Sequence, residues 1–190
     1  MRNKLQLAIG FLVISLVMLA CGTSNDIQVN SPGSDSNDSA PKTTSTSQAG
    51  SARSNPAPVG SEVVVDDMAF KVLTTIRPAD DLVSAGNMFN STPEPDQEYV
   101  FVEVQVQCKK TIDEKCSLNP DFSIKIIGSD GVQYDPEMFI SGVDGLISST
   151  EFYGDAVISG YIPFIVKESD TGFVMVYEPL FGDSFYLSIQ

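Results

Sequence analysis

The sequence predicts an all-β fold, a two-layered antiparallel sandwich over residues 61–190, and three observations carry that reading. The stretch Glu98 to Cys108 (EYVFVEVQVQC) alternates with a period of two: Val100, Val102, Val104, Val106 and Cys108 fall on one face, and Glu103, Gln105 and Gln107 on the other, below Tyr99 and Phe101. Short runs rich in Val, Ile, Phe and Tyr recur on either side of it, with Gly- and Asp-bearing turns between them. No stretch shows a convincing amphipathic helix. A strand with one continuous apolar face needs a second layer to cover it, which the remaining strands must supply.

The first residues read as a leader. Residues 1–21, MRNKLQLAIGFLVISLVMLAC, carry a basic start, an apolar run from Leu5 to Ala20 and a small residue before Cys21, the layout of a secretory signal peptide. The run is short for a membrane-spanning helix. Met18-Leu19-Ala20-Cys21 resembles the lipobox of bacterial lipoproteins, with Met18 where that family most often has Leu. The resemblance implies cleavage after residue 20, a diacylglyceryl thioether on Cys21 and a fatty acyl group such as palmitate on the new amino terminus. At about 0.8 kcal/mol per buried methylene, two or three chains hold a protein on a membrane effectively for good. An ordinary cleaved leader with an incidental Cys is the alternative. The expectation is a domain anchored through Cys21 to the cell membrane and facing away from the cytoplasm.

Residues 21–60 are rich in Ser, Thr, Asn, Gly and Pro and have little to bury, so they read as a disordered linker. Its random-coil reach would be roughly 35 Å. The folded domain is expected from Ser61. Glu62 to Val65 and Met68 to Thr75 read as strands, with Asp66-Asp67 at the turn between them for its local backbone chemistry, cation binding being the alternative. Pro78 to Gln97 reads as a long connection, in which Met88 and Phe89 are expected to cap the end of the core, a ligand contact being the alternative.

After the long alternating strand come Cys108 and Cys116, the two thiols left once Cys21 is acylated. Outside the cytosol they are expected to form a disulfide, worth roughly 2.5 kcal/mol in the chain-entropy model. Phe122 to Ile127 leads through Gly128-Ser-Asp-Gly131 into Val132 to Tyr134, a hairpin signal. Pro136 to Gly154 is an apolar loop, and Met138, Phe139, Ile140, Leu146, Ile147, Phe152 and Tyr153 are its candidates for an exposed binding surface, the plainer role being closure of one end of the core. Asp155 to Glu168 is a long strand in which Pro163 implies an edge or a bulge. Phe173 to Glu178 and Ser184 to Ile189 complete the set.

Seven or eight short strands at regular spacing argue for an immunoglobulin-like antiparallel β-sandwich. The order of these pieces, with GSDGVQYD at Gly128 to Asp135 and GYIPF at Gly160 to Phe164, resembles an extracellular immunoglobulin-like domain of unknown function. That domain recurs in bacterial lipoproteins and is similar in fold to a secreted mycobacterial immunoprotective antigen. Such domains commonly have Asn where this chain has Cys108. The resemblance implies a fold and a location and carries over no catalytic residue and no ligand.

Charge and composition limit the function. The formal charge is -14, or about -16 once Arg2 and Lys4 leave with the leader, so nucleic acid is not an expected partner. There is no His, which removes Ser-His-Asp and Cys-His machinery and any His-bearing zinc site. Two thiolates alone cannot complete a tetrahedral metal shell, and Asp130, Asp135 and Glu137 are too sparse for a calcium loop. The expectation is a non-catalytic binding or protein-interaction module without metal or cofactor, its partner an extracytoplasmic protein. A small-ligand or cation-binding envelope protein is the alternative, and a carboxylate-only hydrolase the weakest reading.

Overall fold

The computed structural model describes residues 27–31 and 48–190. Strands β1 (Gln28–Asn30), β2 (Glu62–Val65), β3 (Met68–Ile76), β4 (Gln97–Cys108) and β9 (Val157–Lys167) make a five-stranded antiparallel sheet in the order β1-β2-β3-β4-β9. Across the core, β6 (Ile124–Ile127), β7 (Gln133–Tyr134), β10 (Val174–Tyr177) and β11 (Phe185–Ser188) make a four-stranded sheet in the order β11-β10-β6-β7. A separate ribbon pairs β5 (Lys115–Leu118) with β8 (Thr150–Tyr153). Two short helices, α1 (Asp80–Gly86) and α2 (Pro120–Ser123), complete the described residues. The fold is the expected antiparallel β-sandwich.

β4 is its axis. Val100, Val102, Val104, Val106 and Cys108 are all fully buried, as the alternation requires. They meet Ile124, Ile126, Met175, Phe185 and Leu187 of the facing sheet in one cluster. Phe70 of β3 lies at its centre, with ring centroids 4.6 Å from Tyr177 and 5.1 Å from Phe185. β4 pairs with β9 from Gln97 opposite Lys167 to Gln107 opposite Val157. β9 is an edge strand, which accommodates Pro163 as expected. The loop after β7 shields part of that edge, since Glu137 donates its N–H to the Pro163 carbonyl at 2.8 Å.

Two turns and one bridge follow the sequence closely. Asp66 and Asp67 have φ of 47° and 61°, the paired left-handed conformations of a two-residue hairpin turn. Gly131 takes φ 81° in the turn from β6 to β7. The disulfide Cys108–Cys116 is formed, with Cα atoms 5.7 Å apart, and it ties the end of β4 to the start of the β5–β8 ribbon.

The boundary of the domain differs from expectation. Residues 27–31 and 48–60 belong to the sandwich rather than to a linker. Ile27 joins the core and β1 lies on β2, with Gln28 opposite Val64 and Asn30 opposite Glu62. Ala57 is fully buried, donates its N–H to Tyr186 O at 2.8 Å and accepts the Ser188 N–H at 2.9 Å. Backbone bonding to open strand edges holds these polar segments, so side-chain composition gives little sign of it. The expected leader (1–20), the expected acylation site Cys21 and the linker residues 22–26 and 32–47 lie outside the described residues. Among the described residues no helix is long and apolar enough to cross a membrane.

A second correction concerns the connection from β3 to β4, which contains α1. Asp80 and Asp81 sit in its first turn, where the helix dipole favours acids, and Val83 is its one buried side chain. With Ala79, that side chain covers Tyr99 and Phe101 on the outer face of β4, so both aromatics are 1% exposed. Below them, Glu103, Gln105 and Gln107 are half-buried.

One buried acid fastens the opposite sheet. Asp170 is 1% exposed and accepts hydrogen bonds from Ser129 Oγ, Tyr134 OH and the Thr171 N–H, each at 2.9 Å, with the Asp130 N–H at 3.4 Å. A Cβ at Gly128 would lie 1.7 Å from its Oδ2, so only glycine lets the turn approach this carboxylate. Burial by itself raises the carboxyl, but the interaction with Asp130 and the bonds from Ser129, Tyr134 and Thr171 outweigh it and hold Asp170 well below the ordinary 3.8.

Candidate functional site

The sandwich has two distinct ends. At one end lie the start of β4, α1, the 87–96 loop and the 136–147 loop; at the other lie the Asp66-Asp67 turn, the disulfide loop and residues 179–183.

The first end is built from two loops locked together. Asn90 Nδ2 donates to Val83 O at 2.8 Å and to Ser141 O at 2.9 Å, while Asn90 Oδ1 accepts the Ser141 N–H at 2.9 Å. Asn87 Nδ2 donates to Ser141 Oγ at 2.7 Å, and Asn87 Oδ1 accepts the Phe89 N–H at 2.9 Å. Gly142, at φ 72°, presses against the end of α1 so closely that a Cβ on it would lie 2.2 Å from Gly86 O. Below, Tyr99 OH donates to Ser91 O at 2.9 Å. Burial, then the charges of Glu137 and Asp80, push the Tyr99 phenol above its ordinary value, so it stays a donor.

The locked loops carry their large apolar side chains outward. Met88 is 85% and Phe89 87% exposed on one loop, and Met138 is 54% and Phe139 82% exposed on the other. Met88 and Phe89 therefore do not cap the core as the sequence suggested. Asn87 and Asn90 on either side of them bond to Ser141 and turn the pair out to solvent. Pairs of exposed Met and Phe on ordered backbone are the kind of surface that association uses, since their burial is favourable and the loops lose little entropy.

The expected seven-residue surface is not one patch. Met138 and Phe139 belong to this end. Ile140 and Leu146 are half-buried against the Tyr99 and Phe101 cluster, and Ile147 packs on the main core. Phe152 is a core residue at 7% exposure, and Tyr153 lies at the other end, opposite Lys115 in the ribbon. Each was apolar for a different reason, which a loop without periodicity does not reveal.

Two depressions flank α1. One, of about 170 Å³, lies among Asp80, Asp81, Asn87, Asn90 and Tyr99. The other, an open groove of about 400 Å³, lies among Ile76, Leu82, Phe101, Val143 and Tyr161. The first is smaller than the roughly 300–1,000 Å³ of small-molecule sites, and the second reaches that range. Among the described residues no three His, Cys, Asp or Glu gather in a way that could hold a metal ion.

At the far end, Asp66 is raised by burial first and then by Asp183 and Asp67. Leu180 and Phe181 protrude there, 93% and 89% exposed, with Phe122 and Ile112 each 70% exposed.

No protein-family model and no curated protein sequence matches the chain. Among solved structures it is similar in fold to the yjhA protein of Bacillus subtilis, at 9% identity and TM-score 0.50, over 70% of this chain and 98% of that one. Weaker likenesses include ycdA of Bacillus subtilis, proposed to be a lipoprotein, at 13% identity and TM-score 0.48, over 67% of this chain and 38% of that one. Another is MPT63, a secreted protein of Mycobacterium tuberculosis, at 13% identity and TM-score 0.44, over 67% and 83% of the two chains. The mycobacterial likeness expected from strand order is thus found. At these identities the likeness concerns the fold.

Proposed function

We propose that this protein is a lipid-anchored, extracytoplasmic and non-catalytic module that binds another protein through the loops carrying Met88, Phe89, Met138 and Phe139. The observation that carries the reading is the pairing of those exposed side chains with a hydrogen-bonded lock, Asn87 and Asn90 on Ser141, that fixes their backbone in advance. A preformed apolar tip binds at a reduced ordering cost. The leader and Cys21 support the location, and the absence of His from the chain supports a binding rather than a catalytic role. The groove beside Leu82 and Tyr161 favours a second reading, a small apolar ligand held between α1 and the 142–144 segment.

Photo-crosslinking in intact cells separates these. With benzoylphenylalanine at position 89 or 139, discrete protein adducts are expected, several-fold weaker once Asn90→Ala loosens the loops, and none from position 157 on the β9 edge. Adducts no stronger at 89 and 139 than at 157 would overturn the protein-binding reading.

A further inference from the structure

We infer that the end of the sandwich bearing Leu180 and Phe181 rests on the surface of the membrane that holds the lipid anchor, so that the Met88–Phe89 end is presented away from it. The inference rests on the proposed acylation of Cys21 and goes beyond it, because a lipid anchor alone leaves the orientation of the body open.

The length of chain outside the structure supplies the first argument. Ile27 is the first described residue and is built into the core, so six residue steps separate it from Cys21. Fully extended, six steps span at most about 22 Å. The body is therefore held close to the lipid, in place of the 35 Å leash that a linker reaching residue 60 would give.

The topology supplies the second. β1 is antiparallel to β2 with Gln28 opposite Val64, so the chain enters beside Val65, next to the Asp66-Asp67 turn. A Cβ at Gly182 would lie 2.9 Å from Asp66 Oδ2, which places the 179–183 segment at the same turn. The anchor thus enters at the end where Leu180 and Phe181 protrude, and Leu180 and Phe122 line one depression there. The twelve residues of β4 carry the sheet roughly 37 Å from its Cys108 end to its Gln97 end. Locally tethered side chains meet the bilayer at a high effective concentration, so weak insertion is enough to orient the body. The acidic net charge makes apolar contact, rather than attraction to anionic headgroups, the force that seats it.

The chain has no Trp, so a single Trp reports its own surroundings. The full-length protein, purified with its native lipid and reconstituted in phosphatidylcholine vesicles containing brominated phosphatidylcholine, is compared as Phe181→Trp and Phe89→Trp variants, each at an exposed position. The Phe181→Trp emission is expected to shift to the blue and lose at least half its intensity to bromine, while Phe89→Trp emission stays that of a water-exposed indole. Vesicles of phosphatidylcholine with phosphatidylglycerol are expected to give the same result. If the protein floats with vesicles and carries lipid but Phe181→Trp is unquenched, or Phe89→Trp is quenched as strongly, the orientation is wrong and the anchor stands. If Cys21 carries no lipid, the anchor reading fails and the inference with it.

Discussion

Phe70→Ala is expected to destabilise the protein by about 4 kcal/mol, the usual cost of truncating a core Phe. Phe70 is fully buried between the two sheets, against Tyr177 and Phe185, so the missing ring leaves a cavity that neither sheet can close. For a domain of this size that corresponds to a fall in Tm of roughly 8–16 °C. Urea melts should show a lower midpoint with an unchanged slope, and Phe70→Leu should lose less than half as much. A loss under 1 kcal/mol in the alanine variant, on the order of a surface change, would mean the sheets do not face each other through this ring.

Asp170→Ala is expected to cost about 3 kcal/mol, because Ser129, Tyr134 and the Thr171 N–H lose a charged acceptor at a site nearly closed to water. The pH dependence follows from the direction of the shift. A carboxyl held below its unfolded value contributes stability that is fully present above about pH 4 and is lost as pH falls toward the folded value. The stability gap between wild type and Asp170→Asn should therefore narrow progressively as pH falls below about 4 in chemical denaturation. A gap that stays constant or widens on acidification would show that the carboxylate is not what the two turns hold.

Some of this architecture was legible because it repeats. The alternation of β4 placed five side chains in the core without any knowledge of their partners, and Asp66-Asp67 and Gly131 marked turns through backbone conformations few residues tolerate. Cys108 and Cys116 were the two thiols left to pair once the expected acylation of Cys21 set that residue aside. The elements that escaped are those held by partners rather than by their own pattern. β1 is three residues long and lies in polar sequence, and it is a strand because β2 offers an open edge. α1 has one buried side chain, too few to show a period.

The candidate site was half visible for the same reason. Phe139 and Met138 were singled out, whereas for Met88 and Phe89 a core cap was preferred over a ligand contact. Asn90 and Ser141 are 51 residues apart, and only the fold brings them together. The Asn residues on both sides of Met88-Phe89 were the one available signal, since Asn is a mostly exposed residue type. Asp170 carried no signal at all among 25 acids, because its role depends on Gly128 leaving room for it.

The proposed anchor and the proposed binding loops lie at opposite ends of the sandwich only if Ile27 and β1 belong to the folded body. Native-state hydrogen exchange tests this directly on the mature protein. The 27–31 segment is expected to be protected together with β2 at 62–65, exchanging orders of magnitude more slowly than an unstructured chain. Exchange of 27–31 at the unprotected rate, with β2 still protected, would contradict the account: the anchor would then hang on a long leash, and nothing would hold the Leu180 and Phe181 end toward the membrane.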